Sequence, residues 1–233
     1  MARITRKELK TDKFALEVGH TVTFFEDHQK ELLRYGAGGV VVILLIIGGV
    51  WYSRHQHAVR QEALAKAIQV QESPVGQPTP GQNQNFPTQE AKDEVALKVF
   101  GDLASKYSGS EEGEIAQYYL GAIKADQGKL AEAEKNFKDV ADKGDAKYAS
   151  LAKFALAQIY FADGRGDQGE TILRYLIAHP TIYISKDQAT ISLARFLGPK
   201  KPAEARKLLE PLRSIPGAVG QTALQVYGEL PPQ

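Results

Sequence analysis

The fold is decided by three stretches 36 residues apart: LAEAEKNFKDVADKG (residues 130–144), GDQGETILRYLIAHP (166–180) and PAEARKLLEPLRSIP (202–216). They share a column of small residues, two columns of large apolar residues and a terminal Gly or Pro: Ala133, Gly169, Ala205; Phe137, Leu173, Leu209; Val140, Leu176, Leu212; Gly144, Pro180, Pro216. A small residue followed four and seven positions later by large apolar residues occupies one helical face. Gly or Pro then ends the element. Each stretch therefore predicts one helix with a packed face and a defined end.

A second apolar stretch precedes each of these helices. Its residues are Tyr119, Leu120, Gly121 and Ile123, then Ala155, Leu156, Ala157 and Ile159, then Leu193, Ala194, Phe196 and Leu197. Each unit therefore predicts a helical hairpin. Helix pairs repeated at such a period are typical of a solenoid, in which every hairpin buries its apolar face against its neighbours. The predicted fold class is all-α.

Two of the units carry a recognisable pattern. It runs through Leu120, Gly121, Gly128, Ala133 and Phe137, and its echo is Leu156, Ala157, Tyr160, Gly164, Gly169 and Leu173. This pattern resembles the tetratricopeptide repeat, which implies a right-handed α-solenoid. The third unit departs from it by one residue, since Ala194 to Ala205 spans 11 residues where Gly121 to Ala133 spans 12. The register of the second helices is nevertheless kept.

The repeat domain is predicted to occupy residues 54–233. A half-unit opens it, with Ala96, Phe100 and Leu103 in a helix that pairs with residues 56–72. Between these two helices, residues 73–87 read SPVGQPTPGQNQNFP, whose four prolines and many Gln and Asn residues predict a flexible loop. Residues 219–227 predict a short closing helix of the kind that caps such arrays.

Residues 36–52, GAGGVVVILLIIGGVWY, hold 17 residues without a charge. Such a run is just long enough to cross the hydrocarbon core of a bilayer, and aromatic rings at Tyr35, Trp51 and Tyr52 suit its two interfaces. We expect a single transmembrane helix at residues 35–53. The alternatives are a helix buried in a globular core and a cleaved signal peptide, which the charged residues before the run disfavour.

The 34 residues before the predicted span form a charged tail with seven Lys or Arg residues. Basic residues favour the cytoplasmic side, so residues 1–34 are predicted to be cytoplasmic and the repeat domain extracytoplasmic. The opposite flank is also basic, with Arg54, Arg60 and Lys66. The tail is either an amphipathic interfacial helix or a weakly ordered segment; its apolar positions are Phe14, Val18, Val22, Phe25 and Leu32.

Charge and motifs disfavour several classes of function. The chain has 29 basic and 28 acidic residues and no basic stripe, so nucleic acid is an unfavoured partner. Gly164, Gly166 and Gly169 have the spacing of a dinucleotide-binding loop, but they follow a helical run where that loop needs a strand. The spacing of Asp163 and Asp167 loosely resembles that of a calcium-binding loop. Arg165 between them places a cation where such a loop needs an oxygen ligand. We therefore predict no catalytic residue, cofactor, metal site or small-molecule substrate.

The anchor and the repeats together resemble the ancillary subunit of the SecYEG translocon, a family also described with the cell-division coordinator repeat domain. That resemblance implies an inner-membrane protein with one span, a cytoplasmic N-terminus and a periplasmic repeat domain. It also implies a non-enzymatic scaffold whose partners are translocon subunits, periplasmic chaperones or secreted chains. Two alternatives remain open: an envelope or cell-division assembly factor that docks a cell-wall or outer-membrane machine, and a membrane-bound enzyme or enzyme regulator with an unrecognised site.

A binding groove is predicted from helical phase. In repeats of this kind the first helix of each hairpin lines the concave side. The positions not used for packing between hairpins are Tyr118, Phe154, Gln158, Phe161 and Arg195. Aromatic side chains and Arg dominate interface energetics, so these residues are the predicted anchors for a protein partner. The alternative is that Tyr118 and Phe154 pack inside their own layer.

Overall fold

The structure is a computed structural model that describes residues 6–77, 85–144 and 146–232, with the side chains of 6–29, 31–33 and 146 excepted. Within these ranges every regular element is a helix. The helices are α1 (Arg6–Glu72), α2 (Gln89–Lys106), α3 (Glu111–Asp126), α4 (Leu130–Lys143), α5 (Ala146–Ala162), α6 (Gly166–Ala178), α7 (Lys186–Leu197), α8 (Pro202–Leu209) and α9 (Ala218–Glu229). The chain divides into two compact units, residues 1–59 and 60–233.

The first unit consists of most of α1. The sequence predicts domain boundaries at residues 34 and 53. Helix α1 runs through both positions, from Arg6 to Glu72, and the two boundaries stay predictions. Its segment Arg34–Glu72 includes an 18-residue window of mean hydropathy 1.9 with no buried residue, so it is long and apolar enough to span a membrane. The apolar side chains of the predicted tail face lie outside the described residues.

The second unit consists of successive helical hairpins. Each helix from α2 to α8 packs against the next one in the chain, and α9 packs against both α7 and α8. The repeated columns form the core, since Phe137, Leu173 and Leu209 are at most 2% exposed. Ala133 and Ala205 are fully buried, which lets neighbouring helices approach closely.

Two of the turns inside the hairpins depend on a left-handed glycine. Gly128 and Gly164 have φ of +75° and +76°, a conformation that favours residues without a Cβ. The third turn, residues 198–201, is one residue longer than the other two, because α7 ends sooner after its small residue Ala194. It uses no residue of positive φ. There the amide of Lys201 donates to the carbonyl of Leu197, and Pro202 starts α8 with its fixed φ.

The loop between α1 and α2 is closed at its base. The amide of Gly76 donates to the carbonyl of Phe86 at 2.9 Å, and the amide of Phe86 donates to the carbonyl of Pro74 at 3.1 Å. The Phe86 side chain is 9% exposed and packs with the core of α1, α2 and α3. Residues 78–84 lie outside the described part of the chain, so flexibility there stays a prediction.

Candidate functional site

A cavity of about 440 Å³ lies between α5, α7 and α9. Its wall combines apolar side chains with uncharged polar ones and a single charged group: Phe154, Gln158, Ser185, Gln188, Ile191, Ser192, Arg195, Ala218, Val219 and Thr222. Three of the five predicted groove residues, Phe154, Gln158 and Arg195, therefore share one site. We call this cavity the α5–α7 groove.

The groove exists because neighbouring first helices are unequally spaced. The backbones of α3 and α5 approach each other directly, and so do those of α7 and α9, whereas α5 and α7 hardly approach. A pair of stacked rings, Phe161 and Phe196, fills part of that gap with 3.8 Å between centroids. Neither ring lines the groove. The structure thus places Phe161, a predicted groove residue, in the packing between hairpins.

Two glycines of α6 make room for this ring stack. A Cβ on Gly169 would lie 2.2 Å from the Phe161 ring, and one on Gly166 would lie 2.4 Å from the Phe196 ring. Both positions therefore exclude any larger residue unless the rings move. This close contact gives a packing reason for two of the glycines that resemble a dinucleotide fingerprint, and the turn at Gly164 explains the third.

The groove has one cationic group and no anionic one. Arg195 is exposed and is the only charged side chain in its lining. Ala218 and Val219, also in the lining, are the first residues of α9, whose N-cap Gly217 provides no side-chain hydrogen bond. The amide dipoles at a helix N-terminus attract negative charge. Both features favour a negatively charged group in the groove.

Tyr118, the remaining predicted residue, lies outside this groove in an aromatic cluster. Its ring centroid is 5.5 Å from that of Phe137, 6.0 Å from that of Tyr119 and 6.0 Å from that of Tyr148. Tyr148 in turn meets Tyr183 at 5.4 Å. Burial raises the pKa of Tyr118, and burial together with the Tyr183 hydroxyl raises the pKa of Tyr148 to about 12. Tyr118 and Tyr148 therefore stay neutral and serve as packing groups.

An ion pair recurs with the same period as the apolar columns. Glu134 on α4 accepts from Arg165 with an Nη1 to Oε1 distance of 3.0 Å, and 36 residues later Glu170 on α6 faces Lys201 at 3.5 Å. The cations are the N-cap residues of α6 and α8. The bond to Arg165 is the main cause that lowers the pKa of Glu134 to about 2. Sequence reasoning missed this pairing, although a count of charges at the repeat spacing would have found it.

The described ranges were searched for clusters of metal-ligating side chains. No group of three or more His, Cys, Asp or Glu side chains comes together there. His55 stacks on Trp51 at 5.8 Å between centroids, one turn apart on α1. We take the α5–α7 groove as the candidate site for a partner because it holds three of the predicted groove residues.

Comparison with known protein families gives the following match. A family model described as a tetratricopeptide repeat-like domain matches residues 24–209, a range that begins inside α1 and includes the uncharged run. Proteins of this type are generally non-catalytic modules that bind other proteins. No curated protein and no solved structure matches the chain.

Proposed function

The chain belongs to the tetratricopeptide repeat-like domain family, and from this membership we propose that it is a membrane-anchored protein-interaction scaffold that binds its partner in the α5–α7 groove. The observation that carries the proposal is the groove itself. Phe154 and Arg195, two residue types that dominate interface energetics, share one cavity between first helices. The repeat packing does not occupy this cavity.

The membrane anchor in this proposal is the segment around residues 36–52. Its side chains are exposed in the first unit, as for Leu45 at 71% and Ile46 at 60%. A contiguous apolar surface of this extent fits lipid better than water. The basic tail before it supports a cytoplasmic N-terminus and an extracytoplasmic repeat domain.

The partner in this proposal belongs to the protein-export machinery of the inner membrane. The support is the sequence-level resemblance to translocon-associated anchored repeats, together with the combination of one span and one repeat domain in the same chain. A scaffold of this kind would hold a chaperone or an emerging secreted chain beside the translocon. No step in this function requires catalysis by the scaffold.

The test is photocrosslinking in intact membranes. A photoreactive amino acid replaces Gln158, an exposed groove residue, in the full chain. The matched control carries it at Lys207, an exposed residue of α8 away from the groove. We expect specific adducts from position 158 alone, identified by mass spectrometry as translocon subunits, chaperones or secreted chains.

The other outcomes are equally informative. Adducts with cell-wall or outer-membrane assembly proteins would replace the translocon with an envelope machine, and adducts with a metabolic enzyme would indicate a regulator. Equal adducts from both positions, or none from position 158, would remove the groove from the proposal. Protease added to spheroplasts checks the topology, since it should degrade the repeats and spare a tag placed before Arg3.

A further inference from the structure

The connection between α6 and α7, residues 179–185, exposes an apolar side chain to solvent. Ile182 is 79% exposed, the largest exposed fraction of any large hydrophobic side chain in the described part of the chain, the uncharged run included. Its neighbour Tyr183 is 41% exposed. A single exposed apolar residue is ordinary on a protein surface, so what matters here is how this pair is held and where it lies.

The backbone holds the two side chains outward. The amide of Thr181 donates to the carbonyl of Ile184 at 2.9 Å, and the amide of Ile184 donates to the Thr181 hydroxyl at 3.1 Å. The Ile184 side chain is 1% exposed, and the Thr181 hydroxyl shares a hydrogen bond of 2.7 Å with that of Ser150. The connection is therefore fixed to the core on both sides of Ile182 and Tyr183, which form the tip of a closed loop.

This tip lies at the end of the repeat domain where the chain enters it. Arg60, the first residue of the second unit, pairs with Glu112 near the start of α3, with 3.1 Å between Nε and Oε2. Helices joined by short turns run antiparallel, so the start of α3, the start of α5 and the end of α6 share one end of the hairpins. The Tyr148 ring of α5 meets the Tyr183 ring there, with 5.4 Å between centroids.

In the proposed function, a bilayer lies close to this end. Tyr52, at the end of the uncharged run, and Arg60 are eight residues apart on α1, which is about 12 Å along a helix. Isoleucine favours the boundary between headgroups and acyl chains. Tyrosine suits the headgroup level, because its ring is apolar and its hydroxyl can stay in water. The tip thus has the composition that a bilayer surface accepts.

We propose that Ile182 and Tyr183 form a second membrane contact, in which Ile182 inserts into the surface of the bilayer that α1 spans. This rests on the proposed function, whose membrane anchor it uses. A single helix does not fix how a domain leans over a bilayer, whereas two separate contacts do. The second contact would therefore hold the α5–α7 groove in one orientation towards the membrane.

The experiment is fluorescence quenching by lipids. The chain has no cysteine, so one introduced Cys can carry a dye without any other change. Lys186→Cys places the dye four residues after Ile182, at the start of α7. The matched control, Lys129→Cys, replaces another exposed lysine just before α4, at the opposite end of the hairpins. Each full chain is reconstituted in phosphatidylcholine nanodiscs in which part of the lipid carries a nitroxide in its upper acyl chain.

We expect the nitroxide to quench the dye at position 186 by about half and the dye at position 129 hardly at all, since insertion of Ile182 by about 5–10 Å brings the start of α7 to the bilayer surface. Adding Ile182→Asp should abolish this quenching, because a carboxylate stays in water. Ile182→Leu, which keeps an apolar side chain, should retain it. Both substitutions should leave the melting temperature within about 2 °C of that of wild type, since the side chain is exposed.

Three results would overturn the inference. They are equal quenching at the two dye positions, quenching at position 186 that survives Ile182→Asp, and no quenching at position 186. In the last case a photoreactive amino acid in place of Ile182 would show whether the tip docks a protein or a second copy of the chain instead of lipid.

Failure of the inference can be told from failure of the proposed anchor in the same samples. Trp51 is the only tryptophan of the chain and lies at the end of the uncharged run, so its fluorescence monitors the span. If Trp51 is quenched and the dye at position 186 is not, the anchor stands and the second contact fails. If neither is quenched, the chain does not span the bilayer as proposed, and both proposals fail.

Discussion

The face between α3 and α5 and the face between α5 and α7 use the same repeat positions in opposite ways. Tyr118 and Phe154 are 36 residues apart and occupy equivalent places on α3 and α5. The Tyr118 ring is enclosed by Phe137, Tyr119 and Tyr148, whereas the Phe154 ring forms a wall of the open groove. The repeat position therefore fixes where a side chain lies on its helix. Whether that side chain is packed or lines a groove depends on the spacing to the next hairpin.

The two faces also differ in the connection between their hairpins. Residues 144 and 145 alone join α4 to α5, whereas residues 179–185 join α6 to α7. In the longer connection Ile184 is 1% exposed and its amide donates to the Thr181 hydroxyl, so the segment is held in place. It delays the start of α7 and supplies Ser185 to the groove lining. The face between α3 and α5, which we call the filled face, follows the short connection. The face between α5 and α7, which we call the open face, follows the long one.

The largest change in the free energy of unfolding should appear when the filled face loses the Phe137 ring. Phe137→Ala should lower the free energy of unfolding by about 3 to 5 kcal/mol, since it empties a fully packed site. Near-ultraviolet circular dichroism of the neighbouring tyrosines should change with it. Leu173→Ala, the matched truncation 36 residues later, should also destabilise the domain but leave that tyrosine signal intact. Equal tyrosine changes in both variants would contradict a local aromatic cluster.

The next largest effect is the difference in stability cost between truncations at the equivalent positions Tyr118 and Phe154. Tyr118→Ala should cost about 2 to 3 kcal/mol because three rings lose their contact, whereas Phe154→Ala should cost about 1 kcal/mol at an open wall. Urea unfolding of the detergent-solubilised full chain measures both. A larger cost at Phe154 would mean that the groove is closed in solution.

The repeated ion pair should give a smaller, pH-dependent effect. The lowered pKa of Glu134 means that its ionised form is favoured by folding, so its contribution is present above about pH 4.5 and is lost as the pH falls towards 2. Glu134→Gln should therefore cost about 1.5 kcal/mol at pH 7 and almost nothing near pH 2. Glu170→Gln, in the next pair, is the companion variant. A pH-independent cost at Glu134 would show that its charge is not what stabilises the pair.

The smallest effect on stability is expected at the groove cation. Arg195→Gln should change the free energy of unfolding by less than about 0.5 kcal/mol, because an exposed side chain without a partner adds little. Arg165→Gln, which breaks a partly buried pair, should cost more and provides the contrast. Destabilisation at Arg195 comparable to that at Arg165 would indicate a structural contact and remove its role as a free anchor.

The sequence predicted the repeat architecture because the spacing of its apolar residues can be read without knowledge of tertiary contacts. Residues such as Phe137, Leu173 and Leu209 recur at fixed spacing, and each of them is buried. The site was predicted only in part. Helical phase placed Phe154, Gln158 and Arg195 on the concave side of the repeats, where the structure has the groove. It placed Tyr118 and Phe161 there as well. The surroundings of those two rings depend on helix spacing and on ring contacts across hairpins. Such distances are set by tertiary packing and leave no periodic signal.

The turn between Leu197 and Pro202, four residues long where the other two hairpin turns have three, shows where this chain tolerates a change of length. Losing one residue inside a helix would rotate every later side chain by about 100° and expose the buried columns. A change taken up at the end of α7 and in the turn leaves Ala205 and Leu209 in register with their counterparts, and both are fully buried. Insertions and deletions in related sequences should therefore accumulate at the hairpin turns. The same turns are the positions where repeats can be removed or joined by protein engineering.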